Sequence, residues 1–119
     1  MKIKLWVAFL GLIGFLALIP AGRAVEKPLP RLLELGSEKC IPCKMMQPVL
    51  EELRKEYPGK LKVDFIDVWK NPQVAQKYKI QVIPAQIFFN SENREIFRHY
   101  GYYSKSEIIK KFRELGVKF

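Results

Sequence analysis

Cys40-Ile41-Pro42-Cys43 holds the only two cysteines of the chain, three residues apart and at the start of a segment with helical apolar spacing. A helix start leaves backbone N–H groups unpaired and presents the positive end of the helix dipole, and both favour a thiolate over a thiol. Cys40 is therefore the candidate nucleophile. Cys43 lies one turn later on the same side and can attack a mixed disulfide formed at Cys40. Pro42 needs no backbone N–H in a first turn and fixes the local φ. Two other readings stay open. Half a zinc site would need two further ligands, for which the chain adds only His99 beyond carboxylates or a second subunit. An inert structural disulfide would close too short a loop to stabilise much.

On the C-terminal side, Met46, Val49, Leu50, Leu53 and Tyr57 recur at helical spacing while Glu51, Glu52, Arg54 and Lys55 face water, predicting an amphipathic helix from Pro42 to Tyr57. Pro48 interrupts its hydrogen bonds and Pro58-Gly59 ends it. Leu61 to Val68 alternates as a strand, with Leu61, Val63, Phe65 and Asp67 on one side. Asn71-Pro72 caps and starts a short helix through Lys77 or Tyr78. Gln81 to Ile83, Pro84, and Ala85 to Phe89 read as one apolar strand entered through a proline, Asn90 to Asn93 as a turn and Glu95 to Tyr100 as a strand. Ser104 to Leu115 is a closing helix with Ile108, Ile109, Phe112 and Leu115 inward and a Ser/Glu start signal. On the N-terminal side Arg31 to Leu35 is a short strand, and Gly36 to Lys39 is the loop that delivers Cys40. The order β-α-β-α-β-β-α implies an α/β domain with a mixed sheet, parallel where helices cross over and antiparallel at the last hairpin.

Further upstream, Met1-Lys2-Ile3-Lys4 is basic, Leu5 to Pro20 is uncharged and apolar, and Ala21-Gly22-Arg23-Ala24 offers a cleavage site after Ala24. Residues 1–24 are expected to be a signal peptide or an N-terminal membrane anchor, residues 25–30 a proline-containing linker and residues 31–119 the domain. The expected location is extracytoplasmic, in a bacterial periplasm or on the outer face of the inner membrane. Removing Met1–Ala24 takes Lys2, Lys4 and Arg23 from 21 basic residues and none of the 12 acidic ones, which lowers the net charge from +9 to +6. That charge is spread along the sequence, pointing to solubility and a mild preference for acidic or membrane-surface partners and away from nucleic acid.

The Cys40-Ile41-Pro42-Cys43-Lys44 motif, Pro48 inside the helix, Asn71-Pro72 with Ala75, Lys77 and Tyr78, and Ile83-Pro84 before an apolar strand together resemble the thioredoxin-fold family over nearly all of Leu32 to Leu115. The resemblance implies a four-stranded sheet flanked by helices, with the family's first strand and helix reduced to Val25–Pro30. It implies a cis peptide bond at Pro84, with Ile83 and Pro84 as the edge where a substrate polypeptide docks, and a second close approach at Gly101. Glu34, six residues before Cys40, stands where the family places a buried aspartate. Buried there, its pKa would rise and it could take the proton from Cys43; a glutamate facing solvent on an edge strand is the alternative. Lys39 and Ile41 depart from the family's usual tryptophan and glycine. Lys39 either stabilises the Cys40 thiolate by charge or is a solvated loop lysine. His99 reads as a surface or strand histidine.

Outside the cytoplasm thiols tend to be oxidised, so a lone Cys-x-x-Cys pair there either donates oxidising equivalents or is kept reduced from elsewhere. The expected function is an exported protein-disulfide reductase acting on oxidised cysteines of exported proteins, apocytochrome c before haem attachment among them. It needs no cofactor beyond the Cys40–Cys43 pair, works as a monomer and is re-reduced by a membrane electron carrier of the disulfide-reducing or cytochrome-c-biogenesis type. An oxidase or isomerase, and a module binding Cu(I) through two thiolates, are the alternatives.

Overall fold

A computed structural model of the chain describes Gly22 and residues 28–119. The expected signal or anchor segment, Gly22 aside, and Val25–Lys27 of the linker lie outside the described residues. Seven elements follow in the expected order: β1 (Arg31–Gly36), α1 (Ile41–Glu56), β2 (Lys62–Asp67), α2 (Pro72–Tyr78), β3 (Ala85–Phe89), β4 (Glu95–Tyr100) and α3 (Lys105–Glu114). They form one four-stranded sheet in the order β2-β1-β3-β4.

Central β1 explains the layering. Its side chains alternate between two covered faces, and Leu32 to Gly36 are all buried. Leu32 joins Phe88 of β3 and the inward residues Met46, Leu50, Leu53, Ile108 and Phe112 of α1 and α3 in one core. Leu33 and Leu35 join Ala85, Ile87 and Phe89 in a second core beneath α2. The first face is built around Phe88, whose ring stands 5.3 Å from that of Phe97 and 4.5 Å from that of Phe112. A fully buried side chain of this size contributes roughly 1.5–3 kcal/mol by leaving water.

Four expectations change. The second crossover is not parallel: β3 runs antiparallel to β1 and pairs with it, whereas only β1 and β2 are parallel. With 7 residues, α2 is about 10 Å long, too short to carry the chain back along the sheet, so β3 starts from the end at which β2 stopped. Gln81–Ile83 is an irregular segment, not part of the strand. Leu115 is 37% exposed, because α3 ends at Glu114 and the chain turns at Gly116, leaving Val117 and Phe119 to pack on the core in its place. Asn71 occupies the cap position of α2 without a capping bond, its amide donating instead to the Asp67 carbonyl at 3.0 Å.

Candidate active site

Parallel pairing of β1 with β2 sets Gly36 beside Asp67, and the loop that follows β1 is fastened there. The Asp67 carboxylate accepts from the backbone N–H groups of Glu38 at 3.1 Å, Trp69 at 2.9 Å and Lys70 at 3.1 Å. Burial alone would raise its pKa, but those three bonds and the Lys70 charge outweigh it and hold the carboxyl below its usual range. Lys70 also pairs with Glu38 at 2.9 Å. The loop ends where the Cys40 N–H reaches the Ser37 carbonyl at 3.3 Å.

Cys40 is the N-cap of α1, which begins at Ile41, one residue before the helix start expected at Pro42. Its sulfur accepts from the Cys43 N–H at 3.4 Å, and its carbonyl accepts from the Lys44 N–H at 2.9 Å. The sulfur thus takes the place of a capping oxygen on the axis of the dipole, which favours its negative form. Cys40 and Cys43 form a disulfide with their Cα atoms 5.1 Å apart. Cys40 is half-buried while Cys43 is fully buried, so a partner sulfur meets Cys40 first. Ile41 and Pro42 are exposed beside it, and Lys39 stands in solvent with its backbone N–H on the Ser37 hydroxyl at 3.3 Å.

Glu34 is fully buried and does not face solvent. It shares a face of β1 with Gly36, and a Cβ at Gly36 would meet the Cys43 sulfur at 3.1 Å. The Cys43 sulfur therefore packs on the face from which Glu34 projects, one pleat along. Burial pushes the Glu34 carboxyl up to about 8, a hydrogen bond from Gln86 offsetting part of the shift. Its Oε1 accepts from Gln86 Nε2 at 3.2 Å, and its Oε2 is buried without a partner among the described residues.

Antiparallel pairing of β3 and β4 brings Pro84 and Gly101 to this end of the sheet. The Ile83–Pro84 peptide bond is cis, Pro84 is buried and Ile83 is half-buried. The Gly101 N–H donates to the Pro84 carbonyl at 2.8 Å. Gly101 has φ +91° with open space where a Cβ would stand, so the glycine is required by its backbone conformation and not by crowding.

Sequence reasoning missed several residues of this end. Gly36, in the sequence only the first residue of a loop, is the floor beneath Cys43. Gln86 is fully buried, and a glutamine inside an apolar strand is a signal in itself. His99 has partners: its Nδ1 lies 2.8 Å from Gln86 Oε1 and its ring stacks on Tyr103 at 3.8 Å. Trp69, Val82, Tyr100 and Tyr102 are exposed, as is Ile41 next to Cys40. Among the described residues no group of three or more His, Cys, Asp or Glu side chains is placed to hold a metal ion.

A family model described as Thioredoxin matches residues 23–114. The thioredoxin of Buchnera aphidicola subsp. Baizongia pistaciae is 48% identical over 62 residues, covering 51% of this chain and 57% of that protein. That of Rickettsia bellii is 33% identical over 86 residues, covering 71% of this chain and 80% of its own length. That of Pseudomonas aeruginosa is 38% identical over 79 residues, covering 66% and 72% respectively. Among solved structures, chloroplastic thioredoxin z superposes with a TM-score of 0.69 at 21% identity over 77% of this chain and 82% of that one, a likeness of fold.

Proposed function

The chain belongs to the thioredoxin family, as a disulfide oxidoreductase carrying a Cys40/Cys43 pair, and from that premise we propose that it is an exported reductase of protein disulfides. The observation that carries the direction of attack is the unequal burial of the two sulfurs, with Cys40 presented at a helix N-cap and Cys43 fully buried behind it.

In the reduced protein the Cys40 thiolate attacks one sulfur of a target disulfide, forming a mixed disulfide and expelling the other target sulfur as a thiolate. Glu34 in its ionised form then takes the proton of Cys43, whose sulfur attacks the Cys40 sulfur. The Cys40–Cys43 bond forms, the mixed disulfide breaks and the second target sulfur leaves as a thiolate. Two electrons have passed to the target, which takes up two protons. Ile83, Pro84 and Gly101 form the edge that holds the target backbone, and exposed Ile41, Trp69, Val82 and Tyr102 supply apolar contact. Lys39 adds positive charge beside the attacking sulfur.

Residues 1–24 carry the chain out of the cytoplasm as a cleaved signal or a retained anchor. The targets are exported proteins with oxidised cysteines, apocytochrome c among them, and a membrane electron carrier of the disulfide-reducing or cytochrome-c-biogenesis type restores the dithiol. The reduction potential of the pair in the full-length chain, equilibrated against a dithiol buffer, tests this reading. It should lie near about −270 mV, as for a reductase; a potential near about −120 mV would make the protein an oxidant and reverse the proposed direction.

A further inference from the structure

Behind the disulfide a polar chain crosses the sheet from β1 to β4. Gln86 of β3 is fully buried and stands in register with Glu34 on one side and His99 on the other. Its Nε2 donates to Glu34 Oε1 at 3.2 Å and to the Gly101 carbonyl at 3.0 Å, and its Oε1 lies 2.8 Å from His99 Nδ1. The donor and acceptor inventory fixes this arrangement. Turning the amide over would set its oxygen against two acceptors, and its oxygen is satisfied only if His99 carries a proton on Nδ1. The ring of His99 is held flat against Tyr103, with an interplanar angle of 10°.

With Oε1 engaged by Gln86, the remaining oxygen of Glu34 is the buried, unpartnered Oε2. We propose that Gln86 and His99 are positioning residues for Glu34: His99 fixes the Gln86 amide, Gln86 holds Oε1, and the pair thereby places the exchangeable proton on Oε2 and sets the pH at which it is lost. The consequence for catalysis rests on the reading of Glu34 as the base for Cys43. The same amide is bonded to the Gly101 carbonyl, so the backbone edge that holds the target and the acid that serves the resolving sulfur share one donor.

The groups facing Glu34 from its neighbours leave this bond as the adjustable one. On β2 the residue in register is Phe65, which carries no charge. From α1 Cys43, here in the disulfide, packs over Gly36, and Asp67 beside Gly36 on β2 is tied to the loop. On β4 His99 reaches Glu34 only through Gln86. Burial keeps its imidazole below the ordinary histidine pKa, against a smaller opposing pull from Glu107 of α3. An uncharged His99 with its proton on Nδ1 therefore serves at neutral pH.

The test is a 13C NMR titration of the Glu34 carboxyl carbon in the full-length protein, beside the pH profile of disulfide reduction. Gln86→Leu removes the one hydrogen bond that favours the carboxylate, so the Glu34 midpoint should rise by about one pH unit. His99→Phe keeps an aromatic ring on Tyr103 but removes the donor that orients Gln86; it should move the midpoint the same way by less, and it carries the test if Gln86→Leu does not fold. Unchanged midpoints in the folded variants overturn the inference, while Glu34→Gln still reports independently on the base. Midpoints that rise while the rate profile stays fixed support the positioning and overturn the reading of Glu34 as the base.

Discussion

Glu34 is a buried carboxyl in the sheet beneath the disulfide, and its burial has a cost in stability. Its carboxyl is held near 8 instead of its ordinary 4.5 because burial disfavours the ionised form. Between those two values the unfolded chain has released the proton and the folded chain has kept it, so the folded state binds more protons and stability falls as pH rises. At pH 7 the penalty is about 3 kcal/mol. Glu34→Gln should therefore unfold at higher denaturant than the parent at pH 7, lose that advantage below about pH 4.5, and reduce disulfides more slowly. Gly36 is constrained in the opposite sense, by space. A Cβ there would meet the sulfur and Cβ of Cys43 at 3.1 and 3.2 Å, and Cys43 is held by the helix and by the disulfide. Gly36→Ala should cost about 1–3 kcal/mol by overpacking and slow the resolving step, seen as a longer-lived mixed disulfide in single turnover. The cysteines should differ in the same assay: Cys40→Ser is expected to abolish turnover, whereas Cys43→Ser should stop at a trapped mixed disulfide. Equal turnover in the two variants would remove the two-cysteine mechanism.

Two elements carry devices whose loss can be measured. At the start of α3, the Ser104 hydroxyl accepts from the Glu107 N–H at 3.2 Å, and the Glu107 carboxylate accepts from the Ser104 N–H at 3.0 Å. Ser104→Ala should cost about 1 kcal/mol in equilibrium denaturation, because it removes the hydroxyl half of this capping box. At the end of β2, Asp67 is held below the ordinary carboxyl pKa by backbone donors, so its contribution is present at neutral pH and is lost as pH falls through that depressed value. Asp67→Ala frees the N–H groups of Glu38, Trp69 and Lys70 together, and should loosen the loop before Cys40, seen as faster amide exchange there and slower attack on a target. The element order was legible because apolar spacing reports burial: Met46, Leu50 and Leu53 in α1, and Ile108 and Phe112 in α3, repeat at helical period and face one core. The motif made Cys40 and Cys43 legible in the same way. What a single sequence does not encode locally is register. The direction of β3 depends on the length of α2, and the chain from Glu34 through Gln86 to His99 exists only because β1, β3 and β4 align those three positions across the sheet.

The domain is polar in a geometric sense, and that bears on how an exported chain would work. Cys40, Trp69, Val82 and Gly101 gather at the end of the sheet where β1 and β2 finish and β3 begins, whereas the chain arrives from Pro28–Pro30 at the opposite end, with the Pro30 carbonyl accepting from the Lys62 N–H at 2.9 Å. Between the two ends lies the length of β1, about 20 Å for a six-residue strand. If residues 1–24 hold the chain at a membrane, as we propose for an uncleaved segment, the disulfide faces away from the point of attachment and is open to targets free in the surrounding compartment. A membrane carrier would then have to reach across this distance, or the linker would have to let the domain turn over. This arrangement predicts the outcome of thiol labelling in cells producing the full chain after mild reduction. A reagent that cannot cross the cytoplasmic membrane should modify Cys40 in intact cells, and buried Cys43 should react far more slowly. Labelling that appears only after the cytoplasmic membrane is broken would place the domain inside the cell and overturn the export reading. The family membership and the two-cysteine chemistry would stand, since they rest on the fold and on the disulfide.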